Sequence, residues 1–367
     1  MTTVLIVVAV ALALALITAV VTMIRFQRWF IREISGTSFF GRPAAERLAF
    51  AHEVRQRGRV AGRLLTWISR ARGGQIPDGV DYDGTTAPLQ CRREDFERAV
   101  SYEPRAGDVF VVTQMKCGTT WMKQIVYEIL MRGRGDLSDD GGRHIYGVSS
   151  WIESSWGVPM GQTPELGPER MRLIKSHMPA TLLPIGEEAF YIYVTRHPAA
   201  CFASCVDFIG SAFEPILPPR AGMLDWFCSE RMWWGPWPDH VESWWRQAEE
   251  RPNVLFFHFE EMRADLAATV DRVAALLGVR LSDEERGEVI RKSGFDYMKA
   301  HEERFTMAPP TAFSRESTFL VSGSAERHRD VSPAERQRIA EFCRARFEGA
   351  TYPFERFYPD LAANASE

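Results

Sequence analysis

The sequence predicts an α/β fold, a three-layer domain with a central, mostly parallel sheet and helices on both faces, preceded by a transmembrane helix. Three observations predict it. Four runs are short, continuous and mostly apolar: DVFVVT (108–113), RLIKSH (172–177), AFYIYVTR (189–196) and NVLFFHFE (253–260). Such runs suit strands buried on both faces of a parallel sheet. Helical patterns lie between them, as in TTWMKQIVYEILMRG (119–133) and MRADLAATVDRVAALLG (262–278), and alternating strands and helices mark an α/β layer architecture. Finally, VLIVVAVALALALITAVVTMI (4–24) carries no charge.

In chain order, residues 1–24 come first as a membrane anchor. At about 1.5 Å per residue the apolar run is long enough to cross a bilayer core. No Lys or Arg precedes it, so the positive n-region of a secretory signal is missing. Arg25, Arg28 and Arg32 follow directly, and the positive-inside rule then places the N-terminus outside and the remaining chain on the cytoplasmic side. A cleaved signal peptide and a buried core helix are the competing readings.

Residues 25–90 form a basic zone and linker. Arg42, Arg47, Arg55, Arg57, Arg59, Arg63 and Arg70 are interspersed with Phe39, Phe40, Leu48, Phe50, Leu64, Leu65, Trp67 and Ile68. This predicts one or two amphipathic helices held beside the membrane by anionic headgroups, or a solvated helix pair that merely leads into the domain. RGGQIPDGVDYDGTTAP (72–88) has the Gly, Pro and Asp content of a linker. The globular domain is expected over 91–360, with a tail at 361–367.

Composition narrows the function classes. The net charge of −4 over 367 residues does not describe a polycation built for nucleic acid. Six scattered cysteines without paired CxxC spacing suit a reducing compartment and give no zinc site.

The chemistry is carried by DVFVVTQMKCGTTWMKQIV (108–126), a strand that turns through Lys116, Cys117, Gly118, Thr119 and Thr120 into a helix. Backbone N–H groups and the dipole at a helix N-terminus favour an anion. Gly118 permits close backbone approach, the threonines add hydroxyl donors and Lys116 adds a charge. The pattern is not a Walker A loop, because the lysine precedes the glycine and no earlier glycine exists. A plain helix cap is the structural alternative.

The stretch resembles the 5′-phosphosulfate loop of cytosolic-type sulfotransferases, which use 3′-phosphoadenosine-5′-phosphosulfate (PAPS). Lys116, Gly118, Thr119, Thr120 and Trp121 match the family pattern, while Gln114 and Met115 replace its Tyr-Pro and Cys117 its small residue. Further segments follow in the family's order. RLIKSHMP (172–179) resembles the segment with the catalytic histidine and places Lys175 and His177. YVTRHPAACFASCVDF (193–208) resembles the 3′-phosphate segment and places Arg196 and Ser204. GPWPDHVESWW (235–245) resembles a Gly-x-Trp-x-x-His signature. SGFDYMK (293–299) resembles the adenine-side segment and places Ser293 and Phe295.

The resemblance covers roughly 104–333. It implies a P-loop-like sulfotransferase fold and an enzyme that moves a sulfuryl group from PAPS to a hydroxyl, less often an amine. Lys116 and the loop amides would stabilise the leaving bisphosphate. His177 would be the general base, since an ordinary histidine pKa of about 6.5 leaves it neutral at cytoplasmic pH. Lys175, two residues away in a strand, would share its side and steady the sulfuryl oxygens. Arg196 and Ser204 would grip the 3′-phosphate. Trp121 and Phe295 would sandwich adenine, and Phe259 stands where the family has a tyrosine beside it. No metal is expected.

The chain departs from the family at FLVSGSAERHRD (319–330). Gly323 fits the family's Arg-Lys-Gly, but Val321 and Ser322 replace the Arg-Lys pair, and Arg327 and Arg329 are the candidates to substitute for it. No match to the family's C-terminal dimerisation motif is found, so the oligomeric state stays open. The anchor and the aromatic residues Trp226, Phe227, Trp233, Trp234 and Trp237 suggest a lipid-like or small amphiphilic alcohol as acceptor. A non-catalytic nucleotide-binding membrane adaptor and another nucleotide-dependent transferase are the alternatives.

Overall fold

The structure, a computed structural model, describes residues 2–34, 40, 42–138, 144–306, 311 and 325–362. Among the described residues are eight strands: β1 (Asp78–Tyr82), β2 (Thr85–Pro88), β3 (Asp108–Thr113), β4 (Ser149–Trp151), β5 (Glu165–Leu166), β6 (Met171–Ser176), β7 (Phe190–Thr195) and β8 (Val254–His258). The main sheet has the order β4-β6-β3-β7-β8, all parallel, and β5 pairs antiparallel with β6. Every residue of β3 is buried, as a central strand covered by helices on both faces must be. The expected three-layer fold is present.

The register of this sheet decides where the chemistry sits. Val112 lies opposite Ser176 on β6 and Tyr193 on β7, and Thr195 lies opposite His258 on β8. The C-terminal ends of four strands therefore form one edge. The chain runs to one side of β3 for β4 and β6 and to the other for β7 and β8, and ligands bind at such a reversal of strand order.

Helices α1 (Thr2–Ile34) and α2 (Ala44–Ala71) precede the domain, followed by α3 (Arg93–Val100) and, after β3, α4 (Thr119–Leu130). Helix α5 (Pro198–Phe213) follows β7. The pattern read at 262–278 is split between two helices, Phe259–Ala264 and Leu266–Leu276, with Asp265 capping the second by accepting from the Ala268 N–H.

Helix α1 continues past Arg25 without a break. Its aliphatic side chains, Ile6, Val10, Leu14 and Ile17 among them, are exposed, and the helix is long and apolar enough to cross a membrane. Its last turns dock on α2, with Trp29 5.6 Å from Phe50.

One reading is corrected. Residues 72–88 are not a bare linker, because β1 and β2 pair there as a hairpin. Asp83 and Gly84, with φ of 50° and 77°, make the left-handed two-residue turn that Asp-Gly favours. The same Gly and Asp that suggested a linker build this turn. The hairpin is tied to the domain: Asp78 accepts from Trp233 Nε1 at 3.0 Å and from Arg231 at 2.7 Å, and the Trp234 N–H donates to Thr86 O at 2.7 Å.

The opposite edge of the sheet is clamped by a buried ion pair. Asp108 opens β3, wholly buried, and pairs with Arg172 of β6. It also accepts from Tyr102 OH at 2.7 Å and from the Arg105 N–H at 2.9 Å. Removing one partner of a buried pair leaves the other uncompensated, which costs about 3–5 kcal/mol. Asp108→Ala is therefore expected to lower unfolding free energy by about 3 kcal/mol or more, read as a shifted denaturant midpoint. A midpoint within error of the parent would refute the clamp.

Candidate functional site

The phosphate-type loop lies between β3 and α4. Lys116 and Gly118 both have left-handed backbones, with φ of 64° and 111°. A Cβ at Gly118 would sit 3.0 Å from the Phe259 ring, so both the conformation and the close approach call for glycine. No side chain caps α4, and its first N–H groups have no intrahelical acceptor. Thr119 and Thr120, which carry the first of them, line the cavity described next. Gln114 fixes the loop from behind. Its Nε2 donates to Trp233 O at 3.1 Å and Gly235 O at 2.6 Å, and its Oε1 accepts from the Met115 N–H at 2.5 Å.

One cavity gathers the predicted residues. Lys116, Gly118, Thr119, Thr120, Trp121, Lys175, His177, Arg196, Ser204, Phe259 and Phe295 all line it. Two expectations differ, and a third lies outside the described residues. Cys117 does not line it: its thiol turns into the core toward Cys201, 3.7 Å away, so only its backbone can serve a ligand. Ser293 stands behind the wall, where its carbonyl accepts from Trp121 Nε1 at 2.8 Å, and its own buried Oγ has no partner among the described residues. Gly323, with Val321 and Ser322, lies outside the described residues.

His177 is oriented by its neighbours. Its Nδ1 lies 2.7 Å from Thr113 O, so Nδ1 carries the proton and Nε2 is the acceptor of the neutral ring. The strand register makes this contact, because Thr113 and His177 each follow the paired residues Val112 and Ser176. The backbone is held as well: the His177 N–H donates to Glu153 at 2.6 Å, and His240 Nε2 donates to His177 O at 2.8 Å. Tyr193 OH, 2.9 Å from His240 Nδ1, fixes that second ring. Burial, and secondarily the Lys175 charge, hold His177 well below the ordinary histidine range.

The cations are desolvated. Burial lowers Lys175 to about 7, opposed by Glu153, and its Nζ sits 3.1 Å over the Trp151 ring. Burial lowers Lys116 to about 8, with Nζ 4.2 Å over Phe208. Arg196 lies 4.5 Å over the Phe259 ring, and Trp121 meets that ring edge-on at 5.3 Å.

The two candidate substitutes for the Arg-Lys pair separate. Arg327 lines the cavity, donating to Asp207 at 2.6 Å. Arg329 is exposed and pairs with Glu326.

Several residues escaped the sequence reading. Glu153 is a buried acid within a Ser- and Trp-rich stretch, a signal that could have marked it. Tyr146, Phe208, Arg263 and Met298 also line the cavity; Phe208 and Met298 fall inside the segments read at 193–208 and 293–299 but were not singled out there. Of the aromatic residues singled out in the sequence, Trp233 and Trp234 line the cavity, and Trp234 lies 4.5 Å from His177. Among the described residues no group of His, Cys, Asp or Glu is placed to hold a metal ion.

Comparison with known proteins agrees with this geometry. The family model of the sulfotransferase domain matches residues 106–351. Sulfotransferase 2A1 of Homo sapiens is 30% identical over 225 residues, covering 59% of this chain and 76% of the relative. The 3-alpha-hydroxysteroid sulfotransferase of Cavia porcellus is 28% identical over 265 residues, covering 69% and 90%. Among solved structures, a mouse sulfotransferase complexed with PAP superposes with a TM-score of 0.57 at 22% identity, covering 77% of this chain and 98% of that one. Retinol dehydratase with retinol and PAP superposes at 0.56 and 17% identity, covering 71% and 88%.

The depressed Lys116 has a consequence for stability. An unfolded lysine titrates near about 10.4, so between about pH 8 and 10.4 the unfolded chain binds more protons and stability rises with pH. The cost of the buried ammonium is fully present below that window. Lys116→Met is expected to be more stable than the parent at pH 7, with the difference shrinking as pH climbs from 8 to 10. Denaturant midpoints across that range test this, and a pH-independent difference would contradict it.

Proposed function

The chain belongs to the sulfotransferase family, and from that premise we propose that it is a membrane-anchored enzyme transferring a sulfuryl group from PAPS to the hydroxyl of a lipid-like or small amphiphilic acceptor. The observation that carries this reading is that Lys116, Lys175, His177, Arg196 and Ser204, from the ends of three strands and the helix that follows one of them, line a single cavity. The cavity fits the nucleotide: it offers an open helix N-terminus and five cations, Lys116, Lys175, Arg196, Arg263 and Arg327, while behind Trp121 the buried Ser293 Oγ has no partner among the described residues.

PAPS supplies an activated sulfuryl group and a bisphosphate leaving group. The residues of this chain supply the rest. His177 Nε2 takes the acceptor proton, while Thr113 O holds the ring in the required tautomer. Lys175 faces the same space and becomes protonated as negative charge enters. Lys116 and the α4 N–H groups meet the developing charge at the 5′ side. Arg196, Ser204 and Arg327 form the 3′-phosphate end, with Arg327 standing in for the missing Arg-Lys pair. Trp121, Phe259 and Phe295 hold the base.

The acceptor wall supports an apolar substrate. Met115, Phe208, Trp233, Trp234 and Met298 line it, and α1 would bring it to the bilayer, with the domain on the cytoplasmic face.

Two expectations follow for the full chain in detergent. His177→Ala loses at least about 100-fold in kcat, the usual share of a general base, while calorimetric PAP affinity stays unchanged; undiminished turnover would remove His177 from its role. Arg327→Ala weakens PAP and leaves 5′-AMP untouched, whereas Arg329→Ala changes neither. Equal affinity of the parent for PAP and 5′-AMP would mean that no group here reads the 3′-phosphate.

A further inference from the structure

Helix α2 presents an arginine face that the catalytic site does not use. Arg55, Arg59 and Arg63 are spaced four apart and so stack along one side of the helix, where they line a shallow groove closed by Thr66 and Pro215. Val60 and Trp67 stand beside them, Trp67 70% exposed. Arg57, which pairs with Glu53, turns the other way to lie 4.5 Å over Trp29 of α1. The remaining face, Phe50, Val54, Gly58 and Ala61, is buried.

A row of arginines flanked by an exposed tryptophan and an aliphatic side chain has the composition of a helix lying in a membrane interface. Its position agrees, because α2 packs on the last turns of α1, directly after the apolar run. We infer that the Arg55–Arg59–Arg63 face of α2 docks on the phosphate headgroups of an anionic bilayer and fixes how the domain sits on the membrane. This rests on the anchoring role proposed for α1, but it adds a second, charge-selective contact.

The test uses the full chain in lipid nanodiscs, with Val60→Cys carrying an environment-sensitive fluorophore; all six native cysteines are buried. Discs of phosphatidylcholine alone are compared with discs containing phosphatidylserine. The expected result is a blue shift in the phosphatidylserine discs only, lost in high salt and lost in R55Q/R59Q/R63Q. The same emission in both lipids, or a shift that survives the triple substitution, would overturn the inference. Flotation of the unlabelled chain with vesicles of the same two compositions guards against a misfolded labelled variant. A chain that floats with phosphatidylserine vesicles but not with phosphatidylcholine supports the α2 contact and refutes the α1 anchor. A chain that floats equally with both, and whose flotation the triple substitution leaves unchanged even in high salt, keeps the anchor and refutes the α2 contact.

Discussion

The contact between His177 Nδ1 and Thr113 O is the constraint on which the site depends. It is a consequence of strand register. Because Val112 and Ser176 are paired, the next residue on each strand falls at the same height, and a backbone carbonyl meets an imidazole nitrogen at 2.7 Å. That one hydrogen bond selects the tautomer, and the tautomer decides which nitrogen faces the cavity. A slip of one residue would turn every side chain of β6 to the opposite face, taking Lys175 and His177 away from Lys116 together. The buried Asp108–Arg172 clamp at the other edge spans the same two strands and so holds the register that the histidine needs.

The second theme is charge without water. Lys116, Lys175 and the nearby Lys123 are all disfavoured as ammonium ions, chiefly by burial, and Glu153 is disfavoured as a carboxylate for the same reason. Aromatic faces do part of the work that solvent would do: Trp151 and Tyr146 lie against the lysines at 3.1 and 3.2 Å. Holding these charges out of water costs free energy that an anion placed among the lysines would offset.

Much of this was legible in the sequence. The four central strands were marked by their continuous apolar runs, and the loop, Lys175, His177, Arg196 and Ser204 by ordered motifs. What was not legible was set by three-dimensional proximity. Glu153 becomes a positioning group only because β4 lies beside β6. The hairpin at 78–88 has polar, very short strands, so its turn signal looked like a linker. Cys117 occupies a motif position yet faces the core toward Cys201, between the left-handed Lys116 and Gly118, a backbone path that residue identity alone does not reveal.

The Gln114 side chain donates to two carbonyls of the Trp233–Gly235 segment while its own oxygen holds the next amide of the phosphate loop. One amide group thus ties the phosphate-type loop to the segment that carries Trp233 and Trp234. The spacing between the loop and that tryptophan wall is therefore set by a single side chain.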